Sequence, residues 1–178
     1  MFSIIIPTLN EENIIDKAIN QFSSIKNKYN IEIIVSDSGS SDKTVSIAKN
    51  ISDKVVIYED DNCNISKVRN LGAKYAKNEI LVFLDADILI KDINQFFKII
   101  IDYINRDNIS GISPRISVYP SQETIIDKFI HIIITLLSNI LNGLGFGYSR
   151  GGCQIIHKKN FYRINGYNEN FVAAEDVD

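Results

Sequence analysis

Five apolar residues, Ile80-Leu81-Val82-Phe83-Leu84, run unbroken into Asp85-Ala86-Asp87. A short apolar run without alternation is a strand covered on both faces, which points to a parallel sheet layered between helices. Its end is as informative as its body. In open sheets of this class, ligands collect just beyond the carboxyl ends of the strands. Residues 85 and 87 share one phase of the pleat, so both carboxylates can face the same side. Two hard oxygen donors there suit Mg²⁺ or Mn²⁺, with substrate phosphates completing the shell. The competing reading is a pair of helix-capping carboxylates at a strand-to-helix turn.

The rest of the chain alternates between strand and helix patterns. Ser3 to Ile6 predict a first strand stopped by Pro7. Asn10-Glu11-Glu12 then open a helix carrying Ile14, Ile15, Ala18, Ile19, Phe22 and Ile25 at helical spacing. Ile31 to Val35 predict a second strand, Lys43 to Lys49 a short helix, and Val55 to Tyr58 a third strand. Ile65 to Ala76 read as a helix before the Ile80–Leu84 strand. Ile93, Phe96, Phe97, Ile100, Ile101 and Ile104 then mark one face of another helix. Alternation of this kind predicts an α/β fold, a mainly parallel sheet with helices on both faces. No repeat or low-complexity linker divides the 178 residues, so a single domain is expected.

Composition removes several classes. With 45% hydrophobic and 23% charged residues, the chain has the makings of an ordinary packed core rather than a disordered segment. A net charge of −3 gives nucleic acid no electrostatic footprint. Cys63 and Cys153 stand alone, which argues against a zinc site. The N-terminal stretch lacks a cationic segment and meets Pro7 after three isoleucines, a poor signal peptide. A cytoplasmic location is the expectation.

Three strand ends carry polar, loop-forming residues: Pro7-Thr8-Leu9-Asn10-Glu11, Asp37 to Asp42, and Asp85-Ala86-Asp87. Parallel strands bring all three to one sheet edge. Hydroxyls and carboxylates there can bind a base and ribose while a metal takes the pyrophosphate. Arg69, in the helix before the fourth strand, can add a cationic donor to the same edge. Asp42 reads as a helix cap ahead of Thr44, whereas Asp37 precedes the helix and reads as a ligand contact.

The stretches Ser3-Ile-Ile-Ile-Pro-Thr-Leu-Asn-Glu11, Ile33-Ile-Val-Ser-Asp-Ser-Gly-Ser-Ser-Asp-Lys-Thr44 and Val68-Arg-Asn-Leu-Gly72 resemble glycosyltransferase family 2. So do Phe83-Leu-Asp-Ala-Asp87 and Asn165-Gly-Tyr-Asn-Glu169 followed by Glu175-Asp176. The order is the family's, over nearly the whole chain. The resemblance implies the Rossmann-like GT-A fold, a nucleotide-sugar donor (a UDP-sugar by family habit), a divalent metal and an inverting transfer. It implies that Pro7, Thr8, Asn10 and Glu11 line the nucleotide, that Asp37 holds the base, and that Arg69 assists. It further implies Asp85 at the ribose or metal, Asp87 as main metal ligand, and Asp176 as catalytic base. Residues 1–110 would form the nucleotide-sugar half and 111–178 the acceptor half, incomplete at its C-terminus. The acceptor would be a glycan, a glycolipid or a lipid carrier.

This sequence departs from the family's Gly-Gly-aromatic-Asp-Glu pattern at Asn165 and Asn168. Thr124 to Leu141 are almost wholly apolar and read either as core or as a helix lying on a membrane surface, which would place the protein at the inner face. Asn142 to Gly147 read as a hinge, and Arg150-Gly151-Gly152 as the lead into a strand from Cys153 to Ile156 at the acceptor cleft. His131 and His157 read as packed side chains. A different class of function, a membrane-associated remnant or scaffold that binds nucleotide without turnover, is the alternative expectation.

Overall fold

Strands β1 (Phe2–Thr8) and β4 (Ile80–Leu84) are buried along their whole length, as their unbroken apolar sequences require. The computed structural model describes residues 1–60, 62–104, 106, 109–116, 132–137, 140–141, 144 and 151–170. Within them β2 is Ile31–Asp37, β3 Lys54–Ile57, β5 Gly111–Ile112 and β6 Cys153–His157. The helices are α1 (Ile15–Asn20), α2 (Lys26–Tyr29), α3 (Thr44–Ile51), α4 (Ile65–Tyr75), α5 (Ile93–Ile104) and α6 (Lys158–Arg163).

One sheet runs in the order β3-β2-β1-β4-β6-β5. The four strands β1 to β4 are parallel, while β6 runs antiparallel to β4 and to β5. The chain moves outward from β1 through β2 to β3, then crosses back and lays β4 on the other side of β1. Strand order therefore reverses between β1 and β4. A doubly wound sheet leaves a crevice beyond the strand ends at that reversal.

Alternation along each strand divides the core. Phe2, Ile4 and Ile6 of β1 join Ile33, Val35, Val82 and Leu84 under α1, α2, α3 and α5. There the Phe97 ring stacks on Tyr29 at 5.1 Å and meets Phe2 edge-on at 4.9 Å. Ile5, Ile34, Leu81 and Phe83 face the opposite way, under Ala73 of α4 and Phe161 of α6. Each buried side chain of this size contributes about 1.5–3 kcal/mol, so both layers hold the central strands in place. Gly72 sets the height of α4: a Cβ there would run into Ile5 Cγ2 and lie 3.3 Å from Ser36 Cβ, so the helix backbone rests directly on β1 and β2.

Two expected boundaries move. β1 does not stop at Pro7 but continues through it to Thr8. Pairing with β4 ends at Ile5, so at Pro7 the strand has a ladder partner on the β2 side alone, a position that tolerates a missing donor. Of the expected helix from residue 10 to 25 only α1 is helical; turns that still bury Phe22 and Ile25 follow it, and α2 begins beyond them. Helical periodicity counts buried residues, and turns can bury them too. Most of the apolar stretch 124–141 lies outside the described residues. Of it, 132–137 are helical, with Ile132, Leu136 and Leu137 exposed. Among the described residues no helix is long and apolar enough to cross a membrane.

Candidate active site

The end of β4 places Asp85 and Asp87 beside the end of β1, with Ala86 buried between them. Pro7, Thr8 and Glu11 close the β1 side, and a cleft of about 390 Å³ lies between the two strand ends. Ser38 after β2, and Cys63, Asn64 and Ile65 at the start of α4, complete the wall. The expected sheet edge is thus assembled from strands far apart in sequence.

The two aspartates stand in different surroundings. Asp85 Oδ1 accepts from Arg69 Nη2 at 3.0 Å, and the same nitrogen donates to the Gly151 carbonyl at 2.9 Å. Arg69 is fully buried on α4, and its guanidinium lies 5.3 Å from the centre of the Tyr167 ring. The Asp85 amide donates to Gly152 O at 3.0 Å, which ties β4 to the entrance of β6. Asp87 is exposed and takes part in no ion pair among the described residues. Of the two readings open for the Asp-x-Asp pair, helix capping fits poorly, because α5 begins only at Ile93 and its first turn is served by Asp92.

Negative charge accumulates here. Glu11 has its carboxyl raised above the usual 4.5, first by burial and then by the charges of Asp87, Asp42 and Asp85. A cation in the cleft would relieve that repulsion. Among the described residues no three His, Cys, Asp or Glu side chains converge as a metal site. The chain itself offers two carboxylates, Asp87 and Asp85, and this donor set fits a hard divalent ion that keeps water and substrate oxygens in its shell.

Three further residues expected at the ligand, Asp37, Asn10 and Arg69, do not themselves line this cleft. Asp37 is fully buried, and its carboxylate accepts four hydrogen bonds: Oδ1 from Thr8 Oγ1 (2.9 Å) and Ser40 Oγ (2.6 Å), Oδ2 from the amides of Gly39 (2.9 Å) and Ser40 (2.7 Å). Four bonds use the acceptor capacity of a carboxylate. Asn10, in the left-handed region at φ 57, accepts from the Ser41 amide at 2.9 Å and so stitches the β1 loop to the β2 loop. Arg69 pairs with Asp85, which lines the cleft. Asp42 behaves as the sequence suggests: Oδ1 accepts from the Thr44 amide at 2.9 Å and Oδ2 from the Glu12 amide at 3.1 Å.

His157 lies at the opposite end of the sheet, paired with Ile80, where Nε2 hydrogen-bonds Ile104 O at 3.1 Å. It is a packed side chain, as expected. His131, Arg150, Glu175 and Asp176 fall outside the described residues. Sequence reading missed Cys63 and Asn64 in the wall. Asn before the apolar Ile65 was a legible helix-cap signal, and its Oδ1 does accept from the Lys67 amide at 2.9 Å. A second cleft, about 1440 Å³, opens on the other side of Asp87 along the start of α5. Leu89, Phe96, Ile99 and Ile116 give it an apolar lining, and Lys91 and Arg115 stand among them.

The chain is similar in sequence and in fold to known proteins. The 4,4'-diaponeurosporenoate glycosyltransferase of Staphylococcus haemolyticus (strain JCSC1435) is 27% identical over 175 residues, 93% of this chain and 46% of that protein. This chain therefore spans less than half the length of that curated relative. A mannosyltransferase of Pyrobaculum calidifontis, solved with GDP-Man and Mn²⁺, superposes with a TM-score of 0.72 at 17% identity, over 98% of this chain and 49% of that one. Glucosyl-3-phosphoglycerate synthase of Mycobacterium tuberculosis, solved with Mn²⁺, UDP and phosphoglyceric acid, gives a TM-score of 0.61 at 24% identity, over 89% and 56% of the two chains. At these identities the solved structures establish the fold, which is GT-A. Residues 3–165 match the sequence profile described as Glycosyl transferase family 2, and on that span the chain belongs to this family of glycosyltransferase enzymes.

Proposed function

We propose that the chain transfers a hexose, with inversion, from a nucleoside diphosphate sugar to an acceptor hydroxyl. The observation that carries the reading is the pair Asp85 and Asp87 at the strand-order reversal, facing Thr8 and Glu11 across a cleft of about 390 Å³. Pro7, Thr8, Asn10 and Ser38 shape the side for the base and ribose, Asp37 sits at the base end, and Asp37 and Asn10 tie the β1 and β2 loops together. Asp87 is the principal metal ligand, with Asp85 beside it. A bound Mn²⁺ or Mg²⁺ supplies neutralisation of the charge that grows on the departing diphosphate. Arg69 holds Asp85 in place through the 3.0 Å ion pair.

Asp176 is the general base. It takes the proton of the acceptor hydroxyl as that oxygen attacks the anomeric carbon from the face opposite the diphosphate. One C–O bond forms, the bond to the diphosphate breaks, and the nucleoside diphosphate departs with the electron pair. The larger cleft beyond Asp87 receives the acceptor, and its apolar lining suits a glycolipid or lipid carrier. The exposed Ile132, Ile133, Leu136, Leu137 and Ile140 support peripheral contact with the inner face of a membrane.

Calorimetric titration of UDP, GDP and TDP, with and without Mn²⁺, tests the reading on this chain and on D87A. One nucleotide is expected to bind with Mn²⁺ dependence, with UDP favoured, and to lose binding in D87A. No binding of any of the three under either condition would overturn it. D176N is expected to keep the nucleotide affinity and lose turnover.

A further inference from the structure

Helix α4 begins in one wall of the donor cleft and, through its cap Asn64 and through Asn70, grips a distant loop. Asn64 lines the cleft, caps α4 through the Lys67 amide, and donates from Nδ2 to Glu169 O at 2.8 Å. Further along the helix, Asn70 Oδ1 accepts from the Tyr167 amide at 3.0 Å. Asn70 Nδ2 donates to Tyr167 O at 2.9 Å and to Glu169 Oε1 at 2.8 Å. The fit is close: Gly166 sits at φ +72, and a Cβ there would lie 2.7 Å from Asn70 Oδ1. Packing of Tyr167 against Phe83 and Phe161 would anchor its ring. The two amides go further and fix the direction of the loop backbone.

We propose that Asn64 and Asn70 are positioning residues that make nucleotide affinity and the order of residues 165–169 rise and fall together. The inference rests on the donor-site reading above. Asn64 serves Lys67 and Glu169 at once, so the cap of α4 and the docked loop share one amide plane. Release of the loop removes the Glu169 contact from that amide and loosens the first turn of α4, which is cleft wall. Coupling of this kind is reciprocal: a nucleotide that stiffens the wall also stiffens the loop. In sequence the loop leads into Glu175-Asp176, so a filled donor cleft favours presentation of the base.

The test uses N70D and the double variant N70D/E169Q. Asn70 does not line the donor cleft. N70D turns both of its donations into repulsions, while the double variant restores one donor–acceptor pair with polarity reversed. Amide exchange is read at Tyr167 to Glu169 and at Lys67, and UDP affinity is read by calorimetry with Mn²⁺. N70D is expected to speed exchange at both places and to weaken UDP at least about 5-fold, the lower end of site-to-site coupling. It also lowers kcat at saturating donor, and the double variant recovers most of each effect. Faster loop exchange with Lys67 and UDP affinity unchanged would overturn the proposal, as would failure of the double variant to rescue. If the unaltered chain binds no nucleotide, the donor-site reading falls on its own. Exchange at Lys67 in N70D then still decides whether loop and wall are linked.

Discussion

D85N and D87N each remove one negative charge from the same short segment, yet they are expected to differ in stability by about 2 kcal/mol. The Arg69–Asp85 pair has side-chain exposures of 2% and 34%. An exposed pair contributes about 0–1 kcal/mol, and cutting a fully buried one costs about 3–5 kcal/mol. A pair with a buried cation and a one-third open carboxylate falls between, at about 2 kcal/mol, because the Gly151 carbonyl and the Tyr167 face still attend the guanidinium. Asp87 has no such partner among the described residues, so D87N is expected within about 0.5 kcal/mol of the parent. Urea unfolding near neutral pH without metal reads the difference. At a slope of roughly 2 kcal/mol per M, D85N lowers the midpoint by about 1 M and D87N by less than about 0.3 M. Both variants lose Mn²⁺-dependent UDP binding. Equal midpoints would refute the division of Asp-x-Asp into one anchored and one free carboxylate.

Two further outcomes are expected. Glu11 holds its proton more tightly folded than unfolded, because burial and then Asp87, Asp42 and Asp85 raise its carboxyl above 4.5. Its ionisation therefore costs stability at neutral pH and costs nothing below 4.5, so E11Q should melt higher than the parent near neutrality and alike in acid. A gain that persists in acid would refute the electrostatic cause. Cys63 is half-buried in the cleft wall, whereas the Cys153 thiol is pushed up to about 12, first by burial and then by Asp85. Maleimide should label Cys63 alone in the folded protein, more slowly with UDP and Mn²⁺ present. Comparable labelling of Cys153 would contradict its burial.

Local patterns proved legible where burial alone decides structure. Ile80–Leu84 forms a strand with the bounds of its apolar run, since nothing polar interrupts it before Asp85. The meeting of β1, β2 and β4 ends followed from alternation of elements. Direction was not written in Cys153–His157: an apolar strand reads alike whichever way it runs, and antiparallel pairing with β4 is a tertiary outcome. The hydrogen bonds around Asp37 were hidden for a similar reason. Two of its four partners are backbone amides of its own turn, but Thr8 arrives from another strand. Asn70 gave no sign of its grip on Tyr167 and Glu169, because a contact across some hundred residues leaves no period to find.

The knot at Asp37 has a consequence for how bases are told apart. Thr8, Ser40 and Gly39 already satisfy one another through that carboxylate, so the rim beyond β2 has its shape before any nucleotide arrives. The ordering entropy of this rim belongs to folding and does not weaken association. A rigid rim cannot wrap a purine one way and a pyrimidine another. Thr8 Oγ1 lines the cleft with its proton already given to Asp37, so it meets a base with lone pairs alone and can only accept. On the donor-site reading, that edge favours a base that donates there, and its calorimetric signature is a small heat-capacity change without the large term that loop folding would bring.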